Sequence, residues 1–141
     1  MQTWLIYALI SMFFAGLTAV IAKSGMKELS SDVALSVRTT VVFVIVLLNA
    51  IVFQNLKTVS DASWKSIMFL CISGVTTSFS WIFYYKAIKI GHVSEVALID
   101  KGSIVITLLL SFWILKEPFT MKTLLGAGLI VSGIAVLTFW K

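Results

Sequence analysis

Three ionised side chains stand where a greasy sequence has little use for charge. Asp100 and Lys101 are neighbours inside the apolar run 93–115, and Arg38 lies inside the run 33–53. A charge at mid-bilayer costs about 2.5–3.5 kcal/mol on insertion scales and less near the ends, so such residues normally face a partner or a water-filled cavity. A carboxylate, an ammonium and a guanidinium can bind a charged small molecule, and Asp100 can also carry a proton. Asp100 and Lys101 should not pair well with each other, because adjacent residues on a helix point about 100° apart. Asp100 is expected to accept from Arg38, or from Lys101 of a partner chain.

Hydroxyls extend this polar set. Ser103, Thr107 and Ser111 follow Asp100 at spacings of 3, 4 and 4, which is one helical face. Ser73, Thr77, Ser80 and Tyr84 make a second stripe at 4, 3 and 4. Two polar faces inside apolar runs suggest a hydrated passage lined by the third and fourth helices. Ser and Thr can also satisfy themselves on their own i−4 carbonyls and do nothing more. Trp81 and Tyr85, one turn apart, could wall an apolar ligand.

The elements that must position these residues are five apolar stretches. Each is long enough to cross about 30 Å of hydrocarbon, which takes ~20 helical residues. They cover about 3–22, 33–53, 66–88, 93–115 and 121–140, within a single transmembrane domain spanning 1–141. Helices fit runs of this length, since they satisfy their own backbone in lipid; a barrel would show short alternating strands. Trp4, Trp64, Tyr84, Tyr85, Trp113 and Trp140 fall near run ends, as an aromatic belt would place them. Ser30, Ser31 and Asp32 offer N-caps for the second helix, Gly91 can end the third, and Pro118 and Thr120 break the chain before the fifth. The first run lacks a basic n-region and exceeds the ~7–15 apolar residues of a signal peptide, so it reads as a retained helix.

Composition agrees. The chain is 60% hydrophobic and 12% charged, with one proline and mean hydropathy +1.05, against about 45–50% and 25% in soluble domains. The net charge of +5 is scattered, without a Lys/Arg run, and does not make a nucleic-acid patch. One cysteine (Cys71) and one histidine (His92, in a loop) allow no metal constellation, and no Ser/His/Asp set or phosphate-cradling glycine loop appears. The sequence calls for neither a cofactor nor catalysis.

Five helices put the termini on opposite sides. The N-terminal side carries Lys57, Lys65, Lys116 and Lys122; the other carries Lys23, Lys27, Lys86, Lys89 and Lys141. Four against five is almost no positive-inside bias. Insertion in both orientations would give a ten-helix inverted pair, the geometry many transporters build within one chain. The second and fourth helices run in the same direction. Arg38 and Asp100 are the sixth and eighth residues of their runs, ~8 and ~11 Å deep at 1.5 Å per residue, and so can meet at one depth. In an antiparallel pair each copy's Arg38, Asp100 and Lys101 would sit off the midplane, one set towards each face. The last helix carries Gly126, Gly128, Ser132 and Gly133, small residues that allow close helix packing within the chain or across a dimer.

The order of several segments resembles half-length EamA-type proteins of the drug/metabolite transporter superfamily. They are Leu17 to Gly25 at the first helix exit, Arg38, Ser80 to Gly91, Val96 to Ser103 with its Ile-Asp-Lys-x-Ser pattern, Lys116-Glu117-Pro118, and Gly126 to Gly133. Leu98 stands where the family commonly has proline, which leaves a kinked fourth helix without support. Full-length relatives carry two five-helix repeats of inverted topology. The resemblance implies an all-α membrane protein forming one such repeat. It further implies a multi-pass inner-membrane transporter of small metabolites, working by alternating access as a homodimer, with proton coupling as one mode. The site residues expected from the charged cluster, its neighbouring hydroxyl and the aromatic pair are Arg38, Trp81, Tyr85, Asp100, Lys101 and Ser103. The competing expectation is a non-transporting subunit or scaffold that pairs with another half-length membrane protein.

Overall fold

Runs of Leu, Ile, Val, Phe and Ala without internal proline leave the helix as the one state that satisfies every backbone group in an apolar medium. A computed structural model describes residues 3–53, 62–118 and 120–139. It is helical throughout: α1 (Thr3–Gly25), α2 (Ser31–Phe53), α3 (Trp64–Ile90), α4 (Val93–Asp100), α5 (Ser103–Ile114) and α6 (Met121–Phe139). α4 and α5 together make one span, so five segments are long and apolar enough to cross a membrane. Trp140, Lys57 and Lys141 lie outside the described residues.

The expected boundary signals act as caps. The Ser30 hydroxyl accepts the Val33 amide at 3.3 Å and opens α2. Ser63 accepts the Ser66 amide at 3.2 Å and opens α3. Thr120 and Thr123 cap reciprocally at the head of α6: each hydroxyl accepts the other's amide, at 3.2 and 3.3 Å. At the end of α5 the chain turns through Lys116 in the left-handed region (φ 55°), and the Glu117 amide reaches back to the Ser111 carbonyl at 3.2 Å. This is the glycine-type helix stop made with a lysine.

The chain comprises two compact units, Met1–Ile90 and Gly91–Lys141. In the first, α2 packs on α3. Its buried residues are Ala19, Met26, Leu35, Tyr85 and Ile88. All five lie at the end of the unit where α1 and α3 finish and α2 begins. Two lysines hold that end. Lys23 donates to the carbonyls of Lys89, at 3.0 Å, and Ile88. Lys89 donates to those of Leu29, at 3.0 Å, and Met26. Each ammonium thus meets the unfilled carbonyls where the other's helix ends, which is where a helix attracts positive charge. Read from sequence, these lysines were headgroup-facing charges; they are also interhelical clasps. In the second unit α6 packs against both α4 and α5, with Ala127 buried.

Nearly all other large apolar side chains are exposed, Phe13, Ile45, Phe69 and Leu129 among them. A water-soluble fold could not tolerate that surface, whereas lipid requires it.

Candidate functional site

In the first unit the structure brings Arg38, Trp81 and Tyr85 together. Trp81 and Tyr85 share a face of α3 because four residues make about one turn. Arg38 reaches them from α2, with its guanidinium carbon 4.2 Å from the Trp81 ring centre and 5.8 Å from that of Tyr85. A cation over an aromatic face is worth about 0.5–1 kcal/mol when exposed and about 2 when desolvated. Tyr85, near the end of α3, is buried beside the arginine. An arginine in an apolar helix thus finds a π face where sequence reading looked for a carboxylate.

Two concavities flank this cluster. One is an open groove of about 1040 Å³ between α2 and α3. Asp32 and Lys86 lie at its outer end, Ser36, Thr40, Thr77 and Trp81 along it, and Phe43 and Leu70 at the inner end. Ser36 donates to the Asp32 carbonyl at 2.9 Å, Thr40 to Ser36 at 3.0 Å and Thr77 to Ser73 at 2.8 Å. With those protons held by the helices, the hydroxyls along the groove keep acceptor capacity only. The other concavity is a cleft of about 380 Å³ lined from α1 and α2, with Arg38 and Tyr85 in its wall.

In the second unit Asp100 and Lys101 sit at a break in the fourth span. The amides of Lys101, Gly102, Ile104 and Val105 each bond the carbonyl three residues back, at 3.1, 2.8, 3.1 and 3.1 Å. This is a short 3₁₀ stretch inside a transmembrane helix, a feature that often marks a hinge. The break is one of hydrogen-bond pattern, and it occurs with Leu98 in the proline position. Gly102 admits it: a Cβ there would meet the Ile99 carbonyl oxygen at 3.0 Å and the Ile134 side chain at 3.3 Å. The break also corrects the expectation that Asp100 and Lys101 would diverge. The Lys101 ammonium lies 3.7 Å from the Asp100 carboxylate, because the two no longer occupy a regular helix. At 40% exposure for Asp100 and 63% for Lys101, the pair is loose and accessible.

Ser103 opens α5, and its carbonyl takes the Thr107 hydroxyl at 3.0 Å. Ser103, Thr107 and Lys101 line a third groove, of about 750 Å³, against α6. Within each unit, then, the two polar stripes line different grooves: Ser73 and Thr77 face α2, and Ser103 and Thr107 face α6. On α6, Gly126, Gly128 and Gly133 have open space where a Cβ would stand, and Ser132 bonds the Leu129 carbonyl at 3.0 Å. Glu95 lies exposed in the first turn of α4, where an acid complements the helix N-terminus. Among the described residues no cluster of His, Cys, Asp and Glu could hold a metal. Sequence reading missed Asp32, Ser36, Thr40 and Lys86 as groove residues. Their signal was present, since 32, 36 and 40 form one stripe on the second helix.

Comparison with known proteins agrees with this architecture. Residues 2–139 match the EamA-like transporter family. A Sinorhizobium sp. protein described as "Uncharacterized transporter in cobO 3'region" is 34% identical over 136 residues, covering 96% of each chain. No solved structure matches. Five apolar spans, polar grooves between them and a family match over nearly the whole length lead to one assignment: the chain is a multi-pass membrane protein of the EamA-like transporter family.

Proposed function

We propose that this protein carries small metabolites across the cell's inner membrane by alternating access, as an antiparallel homodimer. One observation supports the reading above the others: a hydroxyl-lined groove between two lipid-exposed helices. From Asp32 to Phe43 is eleven residues, ~16 Å at 1.5 Å per residue, about half of a 30 Å hydrocarbon core. A groove that enters from one face and ends at Phe43 and Leu70 is half a pathway. A second, oppositely inserted copy supplies the other half, and the near-equal lysine counts on the two sides permit that insertion. The open glycine face of α6 suits close packing of the copies.

Roles follow from the chemistry. Trp81 walls the substrate in the α2–α3 groove, Tyr85 walls it in the adjoining α1–α2 cleft, and Arg38 in that cleft attracts it. In the second unit Asp100, exposed and only loosely held by Lys101, exchanges a proton at the break before Gly102, beside the Ser103 hydroxyl. The experiment is uptake by purified protein in liposomes, using a panel of labelled organic acids, amines and amino acids under an imposed pH gradient. Flux without any other protein is the expected result, and Asp100→Asn should remove its pH dependence while leaving insertion intact. Coupled flux unchanged by Asp100→Asn would take Asp100 out of the mechanism. Absence of flux across the panel would favour a non-transporting subunit. Cysteines placed at each terminus should label from both sides of the membrane in cells.

A further inference from the structure

The unused face of Arg38 carries information about what binds. Its guanidinium carbon lies 4.2 Å from the centre of the Trp81 ring. Contact with a ring face takes up none of the group's five N–H donors as a conventional hydrogen bond. Among the described residues of the first unit no carboxylate lies within salt-bridge distance of Arg38 and no carbonyl takes its protons. Arg38 nonetheless lines the α1–α2 cleft, whose other walls are Thr18 and the apolar Ile21, Ala22 and Val37. A half-buried planar fork with unfilled donors, set beside two aromatic rings, suits a bidentate oxyanion. The wall beside it is aliphatic, so the rest of the ligand is apolar.

We propose that the α1–α2 cleft binds an organic carboxylate with an aliphatic body, its two oxygens on the Arg38 edge and its chain against Ile21, Ala22 and Val37. The proposal deepens the transport reading by naming a substrate class, and rests on that reading only for the claim that the ligand is carried. A soluble acid is the occupant favoured here, because the cleft's volume of about 380 Å³ admits one short chain and not the two chains of a phospholipid.

Octanoate serves as the probe, titrated calorimetrically into full-length protein in phosphatidylcholine nanodiscs, with octylammonium as the charge-reversed control. Saturable octanoate binding, with none for octylammonium, is expected. Arg38→Gln should weaken it at least tenfold, and Arg38→Lys should fall between, since a lysine keeps the charge and loses the fork. Val37→Phe fills the cleft and leaves Arg38 in place, so it should also abolish binding. Octanoate affinity unchanged in both Arg38→Gln and Val37→Phe, or equal binding of the ammonium, overturns the site. Replacing part of the phosphatidylcholine by phosphatidylglycerol should leave octanoate affinity unaltered; competition would overturn the soluble-acid assignment in favour of a lipid phosphate. Binding is read without flux. Failed transport in liposomes would sink the transport reading and leave this site standing, whereas flux of an amine without octanoate binding would sink the site alone.

Discussion

Replacing Lys89 by Met tests whether the lysine clasp holds the first unit together. Methionine keeps an unbranched stem of similar length and removes only the ammonium. What is lost is donation to the Leu29 carbonyl at 3.0 Å and to that of Met26, with Lys27 at the 3.5 Å limit. Hydrogen bonds involving a charged group contribute about 1.5–3 kcal/mol, and a cation at a helix C-terminus about 0.3–1. Both figures fall toward their lower ends here, because the site is only part-buried and water can reach the vacated carbonyls. Lys89→Met should therefore cost about 1.5–2 kcal/mol, and Lys23→Met a similar amount. The double variant should cost less than the sum by about 1 kcal/mol, since both lysines tie the same two helix ends and the second has little left to hold once the first is gone. The assay is unfolding in mixed micelles of rising SDS fraction, followed by tryptophan fluorescence, to which Trp81 of this unit contributes. Lys27→Met, on an exposed side chain, is the control and should shift stability by less than about 0.5 kcal/mol. Full additivity of the two clasp variants, or a Lys89→Met protein as stable as the control, would refute the reasoning.

Other outcomes follow from single positions. Lys116→Gly should raise stability by about 1 kcal/mol in the same titration, because Lys116 holds a left-handed φ of 55° that costs an L-residue roughly that much. Gly102→Val should lower uptake far more than it lowers protein yield, since its Cβ would press on the Ile99 carbonyl and Ile134 and disturb the 3₁₀ break; wild-type flux would mean the break is incidental. Thr120→Ala should destabilise α6 by about 1 kcal/mol through loss of the reciprocal cap, read as a lower midpoint of thermal unfolding in detergent.

The five spans were plain in the sequence because length and apolar content alone decide what crosses lipid. Ser30 and Thr120 were legible as caps for the same local reason: a hydroxyl before an apolar run has one obvious use. Non-local features were not. Arg38 was matched with acids because opposite charge is the first partner one seeks, yet Trp81 and Tyr85, one turn apart, already offered an aromatic seat. The break at Lys101 and Gly102 was discounted for want of a proline, although a glycine beside two charged residues can loosen a helix by itself. Lys23 and Lys89 sit 66 residues apart in the chain, and only the fold shows that each reaches the other's helix end.

Packing that is concentrated at one end of the first unit gives it mechanical leverage. With Tyr85 and Ile88 as fulcrum, the remainder of α3 back to Trp64 is an arm of 21 residues, about 32 Å. Tilting such an arm by about 10° sweeps its tip through roughly 6 Å, the width of a small organic molecule, while the clasped end scarcely moves. Packing of this kind would let a slight rotation at the clasped end become a wide displacement at the other.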